Sequence, residues 1–215
     1  MLVKEMLLEK IFRAYLDYTN EKYGHEHEET KLHVHDIVRC KHKSVMETMF
    51  PEFMRSPSAH IFIGEAIDEF VKKIIEIKRE DLFPDLESTE IEVSREIRLE
   101  DDGEEKVITI IGKPDIVLRD AIVEIKYSRT IEDKPLEHHV MQLKLYLFLT
   151  NKKKGYLIYV TPRGMREFVI EEEVSDDYVK ELLRSWSSPR FEWECDYCHY
   201  REICPYRVVS IKEEA

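Results

Sequence analysis

Four cysteines are placed unevenly along this chain. Cys40 stands alone, while Cys195, Cys198 and Cys204 crowd toward the C-terminus as C-x2-C-x5-C. Between them lie Gly112-Lys-Pro-Asp115 and then Val123-Glu124-Ile125-Lys126. On a strand, residues 124 and 126 share one face and residue 125 takes the other. Glu124 and Lys126 therefore project together, with Ile125 buried behind them. Asp115, at the start of an adjoining strand, brings its carboxylate beside Glu124. Two hard oxygen ligands suit Mg²⁺ or Mn²⁺, ions that acidify a water and make it a nucleophile. A lysine held nearby can orient that water or stabilise charge developing on a phosphate. The bland alternative is a surface Glu–Lys pair on an edge strand. E-x-K alone is common; the Gly-x-Pro-Asp, strand, turn, strand context makes this instance specific.

The segment after this strand reads PLEHHVMQLKLYLFL from Pro135 to Leu149. Gln142 and Tyr146, spaced i, i+4, share a helix face. His139 lies at i−3 from Gln142 on roughly that face. Both Gln142 and Tyr146 can hydrogen-bond a phosphate oxygen or an attacking water, and Tyr146 can also stack on a base. Taken alone, the segment reads as an amphipathic core helix with Val140, Leu143, Leu147 and Phe148 inward and Gln142 exposed.

The elements that must position these groups follow from periodicity. The N-terminal stretch mixes charges among Met6, Leu7, Ile11, Phe12 and Tyr15 at helical spacing. It is an amphipathic helix ending near Gly24 and not a secretory signal, which places the protein in the cytoplasm. The stretch EKYGHEHEET is a loop; His25, His27, His33 and His35 read as surface histidines. A short helix begins near Cys40. A longer one covers Ala59 to Arg79, with Ile63, Ile67, Phe70, Ile74 and Ile77 as its buried stripe. The period then changes to two. Ile91, Val93, Ile97 and Leu99 alternate, Asp101-Asp-Gly103 turns, and Val107 to Ile111 returns. Strands follow at Asp115 to Leu118 and Ala121 to Tyr127, then a helix from Pro135 to Thr150. Two more strands cover Gly155 to Thr161 and Arg166 to Ile170. Ser175 caps a helix through Arg184, and Trp186 to Pro205 is loop-rich. The pattern is α/β: a mixed central sheet flanked by helices.

The chain has 215 residues, a formal charge of −12, one Gln and two Asn. Its charge-rich, amide-poor composition fits a protein adapted to heat. The acidic balance excludes a delocalised, histone-like nucleic-acid binder but not a nuclease, since acidic ligands recruit cations that then meet phosphates. Basic groups remain at Arg39, Lys41, His42 and Lys43, at Lys126 and Arg129, and at Arg163 and Arg166. Lys152–Lys154 reads as a solvated helix end. No apolar run reaches the ~20 residues of a membrane span, and there is no phosphate loop of an ATP-driven motor. In a reducing compartment four cysteines hold metal in preference to forming disulfides. Zinc ribbons supply two close pairs, whereas this chain supplies one cysteine plus three. The Cys204-Pro205 ending matches iron–sulfur ligation. The cysteine set favours a [4Fe-4S] cluster over [2Fe-2S] or zinc.

Together, Asp115, Glu124-Ile125-Lys126 and Gln142-x-x-x-Tyr146, framed by one cysteine before and three after, resemble the RecB-like branch of the PD-(D/E)-x-K nucleases. The iron–sulfur-stapled, CRISPR-associated RecB-like exonucleases are the most similar subset, over about residues 35–207. The resemblance implies a restriction-endonuclease-like fold whose two ends are joined by a four-cysteine cluster at Cys40, Cys195, Cys198 and Cys204. It implies a single nuclease domain: a helical part at 1–57, a core at 58–185 and a three-cysteine segment at 186–215. Asp115, Glu124, Lys126, Gln142 and Tyr146 would be catalytic. Asp115, Glu124, Ile125 and Asp68 would hold Mg²⁺ or Mn²⁺. The family usually has Gly-x-x-x-His on an early helix, where this chain has Gly64-Glu-Ala-Ile-Asp68. Asp68 takes the place of that histidine, or else His60 or Glu65 completes the site. The implied activity is metal-dependent DNA exonuclease action on single-stranded or frayed ends during CRISPR spacer acquisition. The implied partners are DNA and the Cas integrase complex, with no membrane, and ring-like oligomers occur in the family. A catalytically weak DNA-end-binding or assembly subunit, and a viral or repair nuclease without a CRISPR link, are the alternatives.

Overall fold

A computed structural model describes residues 7–23, 28, 30–50, 59–101, 104–130 and 133–209. Met6, Gly24, His25, His27 and the Asp102-Gly103 turn lie outside the described residues. The N-terminal elements are α1 (Leu7–Tyr23), β1 (Lys31–His33), α2 (Val34–Ile37), α3 (Lys41–Met49), α4 (Ala59–Ile77) and α5 (Arg79–Leu82). Strands β2 (Leu86–Thr89), β3 (Val93–Asp101), β4 (Glu104–Gly112), β5 (Ile116–Leu118) and β6 (Ala121–Tyr127) follow. The chain continues through α6 (Glu137–Thr150), β7 (Lys154–Thr161), β8 (Gly164–Glu171), α7 (Asp176–Arg184) and α8 (Glu194–Tyr197). Ser175 caps α7 by accepting from the Tyr178 N–H. Short elements β1, α2, α5 and β2 carry too few residues to show a period and were not foreseen.

The strands form two mixed sheets, one of five strands in the order β2-β5-β6-β7-β8 and one of three in the order β1-β4-β3. One continuous sheet was the simpler expectation. Pro114 lies between β4 and β5, and a proline has no N–H to give a ladder. The extended run is broken there and its halves enter different sheets.

Strand β6 is the centre of the larger sheet, antiparallel to β5 and parallel to β7. A parallel pair needs a crossover, and α6 supplies it. Ile122 packs on the α6 side with Leu143, Leu147, Leu157 and Tyr159. Val123 and Ile125 face the other way, onto Ile75, with Ile67 and Val71 of α4 packed against them. Helix α6 is buried on almost every side, at Leu143, Leu145, Tyr146, Leu147, Phe148 and Leu149.

Helix α4 corrects the expected stripe. Ile63, Phe70, Ile74 and Ile77 are exposed, while Lys72 and Ile75 are buried. The sequence AHIFIGEAIDEFVKKIIEI is apolar on more than one side, so two stripes compete. The sheet takes Ile67, Val71 and Ile75, the stripe that carries Asp68 and Lys72 inward with it. In α1, Leu7 and Ile11 are exposed, while Tyr15 packs edge-on against Phe62 at 5.1 Å.

Candidate active site

The E-x-K strand delivers its two polar side chains to the α6 side, as alternation requires. Glu124 is 2% exposed. Its Oε1 accepts from Lys126 Nζ at 2.6 Å and from Gln142 Nε2 at 2.9 Å. Gln142 Nε2 also reaches the Tyr146 hydroxyl at 3.1 Å. The strand pair and the i, i+4 helix pair thus meet on one oxygen. Gln142 is half-buried and bonded, so the plain amphipathic-helix reading fails for it.

Asp115 enters from the break between the sheets. Its Oδ2 accepts from the Ile125 N–H at 2.7 Å. The ladder between β5 and β6 ends at the Ile116–Val123 pair, so Asp115 takes over where β5 stops. Within a strand a residue's N–H and C=O point to the same side. The Ile125 carbonyl therefore also faces Asp115.

Gly112 permits this arrangement. A Cβ there would stand 2.7 Å from Tyr146 Cε1 and 2.9 Å from Val34 Cγ2. Only the absent side chain lets the Tyr146 ring seat against β4. The ring is 5% exposed and part of the core. It offers the cavity its hydroxyl and not a stacking face, contrary to the expected base contact.

All these groups line one cavity of about 790 Å³, shared with Asp68, His60, Glu65, His33, His35 and Lys113. Three of its polar atoms are buried without a hydrogen-bond partner: Glu124 Oε2, Asp68 Oδ1 and His60 Nδ1. Buried carboxylate oxygens without partners are costly. Asp115 is pushed up to about 7, first by burial and then by Glu124. Asp68 is likewise pushed up to about 7 by burial and by Asp115. Burial raises Glu124 too, against the pull of Lys126. Burial alone would lower the Lys126 ammonium, but Glu124 and Asp115 outweigh it and hold its pKa up. A crowd of carboxylates with raised pKa values around two orphaned oxygens fits a hard divalent cation.

The expected basic lining is partly spent elsewhere. Arg39 bonds Asp36 Oδ1 at 2.5 Å and Glu47 Oε2 at 2.8 Å, bracing the α2–α3 joint that carries Cys40. Lys152 bonds Glu87 and the Arg119 carbonyl, and its side chain is 14% exposed, so it is no free helix end. His139 Nδ1 lies 2.8 Å from the Tyr159 hydroxyl, and His138 packs against Trp193 and Phe191.

The four cysteines line a second cavity of about 190 Å³ between α3 and the C-terminal segment. Burial raises the Cys40 and Cys198 thiols. Four thiol donors around one space fit a tetrahedral zinc ion or an iron–sulfur cluster. Sequence reasoning missed the hydrogen bonds that frame it. Cys40 N–H donates to Glu194 Oε1 at 2.8 Å, Lys41 N–H to the Ser187 carbonyl at 3.0 Å, and Trp186 Nε1 to the Arg39 carbonyl at 2.8 Å.

Residues 7–205 match the PD-(D/E)XK nuclease superfamily. The chain is 31% identical over 221 residues to the CRISPR-associated exonuclease Cas4 of Saccharolobus solfataricus, covering 97% of this chain and 100% of that protein. The crystal structure of SSO0001 is similar with a TM-score of 0.80 at 30% identity, over 95% of this chain and 99% of that one. An alkaline exonuclease from Laribacter hongkongensis is far more distant, at 14% identity and a TM-score of 0.44 over 72% of this chain and 83% of that one. The chain therefore belongs to the PD-(D/E)XK nuclease superfamily and, within it, to the family of the CRISPR-associated exonuclease Cas4.

Proposed function

We propose that this protein is a metal-dependent DNA exonuclease that trims single-stranded or frayed ends during CRISPR spacer acquisition. The observation that carries the reading is the Glu124 carboxylate. One oxygen is saturated by Lys126 and Gln142, and the other is buried and unpartnered in a cavity shared with Asp115. Glu124, Asp115, Asp68 and the Ile125 carbonyl would hold Mg²⁺ or Mn²⁺. The ion would supply Lewis acidity and an acidified water for in-line attack on a phosphodiester. Lys126 carries a fixed positive charge beside the reacting phosphate, where charge builds in the transition state. Gln142 holds Glu124 and is itself bonded to the Tyr146 hydroxyl, and the two orient the substrate side of the site. Cys40, Cys195, Cys198 and Cys204 would carry a [4Fe-4S] cluster that joins the two ends of one nuclease unit. The name of the Saccharolobus relative supports the CRISPR and exonuclease parts. The protein would act in the cytoplasm, with DNA and the Cas integrase complex as partners.

The test is digestion of end-labelled single-stranded, splayed and blunt DNA with Mn²⁺, comparing wild type with Glu124→Ala. Shortening of the single-stranded and splayed substrates by wild type alone is the expected result. A second reading, a DNA-end-binding subunit with weak chemistry, draws on the Asp68–Lys72 ion pair, which occupies one oxygen of a candidate ligand. DNA binding without digestion by wild type would select it.

A further inference from the structure

Lys72, on α4, is buried and has no role in the exonuclease chemistry described above. Its Nζ lies 2.5 Å from Asp68 Oδ2, 2.5 Å from Glu90 Oε1 and 3.9 Å from Glu69 Oε1. One oxygen from each of these three carboxylates lies within 4.8 Å of the other two. That spacing suits a cation, and the chain's own ammonium fills it.

The grip on Asp68 is one-sided. Oδ2 is held by Lys72, and Oδ1 is left buried without a partner in the catalytic cavity. The second arm reaches Glu90, whose φ of 59° lies in the left-handed region that residues with a Cβ seldom adopt. The Glu90 N–H donates to the Asp115 carbonyl at 3.2 Å. Lys72 thus touches one candidate metal ligand directly and grips the backbone of another through a single residue.

We propose that Lys72 is the positioning residue of the metal site: clamped between Asp68 and Glu90, it presents Asp68 Oδ1 and fixes Asp115 for a divalent cation. The inference rests on the metal-site reading above. Simple electrostatics gives the opposite sign, because removing a positive charge beside the site should tighten a divalent cation. Positioning predicts weaker binding, by the ~10- to 100-fold typical when a partner that orients a metal ligand is lost. The two accounts separate in one titration.

The experiment is Mn²⁺ binding to the full chain without DNA, by calorimetry and by electron paramagnetic resonance of free Mn²⁺. Lys72→Met should weaken binding about 10-fold or more, and Lys72→Arg should retain most of it. In an Asp68→Asn background the Lys72→Met change should cost less than in wild type, since the two act together. Binding by Lys72→Met as tight as wild type, or tighter, would overturn the proposal, as would a loss undiminished in the Asp68→Asn background. If circular dichroism shows Lys72→Met unfolded, Glu90→Gln carries the test on the more exposed arm. It should weaken Mn²⁺ several-fold, and wild-type affinity there would be equally fatal. Wild-type Mn²⁺ binding that is insensitive to Glu124→Ala would instead sink the metal-site reading itself.

Discussion

Glu124 Oε1 accepts from Lys126, two residues along its own strand, and from Gln142, on the crossover helix, at 2.6 and 2.9 Å. Donors from two elements converge on one oxygen, so the carboxylate cannot turn without breaking both bonds. Oε2 is left facing the cavity. Asp115→Ala or Glu124→Ala should therefore abolish divalent-metal-dependent cleavage with the fold intact. Lys126→Ala should lose about 10²-fold or more in rate, because it acts on developing charge. Wild-type digestion by Glu124→Ala would remove the site assignment.

Gln142 and Tyr146 divide their work. Gln142→Ala removes the donor to Glu124 and to the Tyr146 hydroxyl and should slow cleavage about tenfold, the worth of roughly one hydrogen bond to a charged group. Tyr146→Phe keeps the buried ring and should lower rate modestly, with Mn²⁺ affinity unchanged. Tyr146→Ala empties a core position and should cost about 3–5 kcal/mol of stability, read by denaturant unfolding. A fully stable Tyr146→Ala protein would show that the ring is not the packing element described.

Protons and a bound divalent metal would compete for the same oxygens. Asp115 and Asp68 ionise near 7 in the folded protein, chiefly because they are buried, against about 4 in an unfolded chain. Between those values the native state holds protons that the unfolded state has released, so these groups lower stability as pH rises. The metal-free protein should melt higher at pH 5 than at pH 8. Mn²⁺ should raise the melting temperature more at pH 8 than at pH 5. An equal Mn²⁺ increment at both values would place the ion away from these carboxylates.

Protein purified without oxygen should be brown, with broad visible absorption that dithionite bleaches. A colourless protein with one zinc would contradict the cluster reading. Cys40→Ala or Cys198→Ala should lose colour and thermal stability while sparing Mn²⁺ binding.

The strands were legible from their period of two, and the α6 face from the i, i+4 spacing of Gln142 and Tyr146. The Asp115, Glu124, Lys126, Gln142 and Tyr146 constellation follows from those periods plus a single break at Pro114. Helix α4 was misread because it is apolar on more than one side, and the side taken by the sheet also carries Asp68 and Lys72. Their i, i+4 spacing was the available signal. The role of Gly112 depends on contacts between distant segments, which no local pattern encodes.

Glu194 shows how the second cavity is closed. Its Oε1 accepts from the Cys40 N–H, and its Oε2 from the N–H groups of Arg190 and Phe191 at 3.0 and 2.8 Å. His42 N–H, bonded to Ser188 Oγ at 2.9 Å, and Trp186 Nε1, bonded to the Arg39 carbonyl, add to the same seam. The tail is thus docked on α3 by ordinary hydrogen bonds, independently of the thiols. None of these bonds involves a thiol, so the Cys40→Ala or Cys198→Ala chain should keep its C-terminal tail seated on α3.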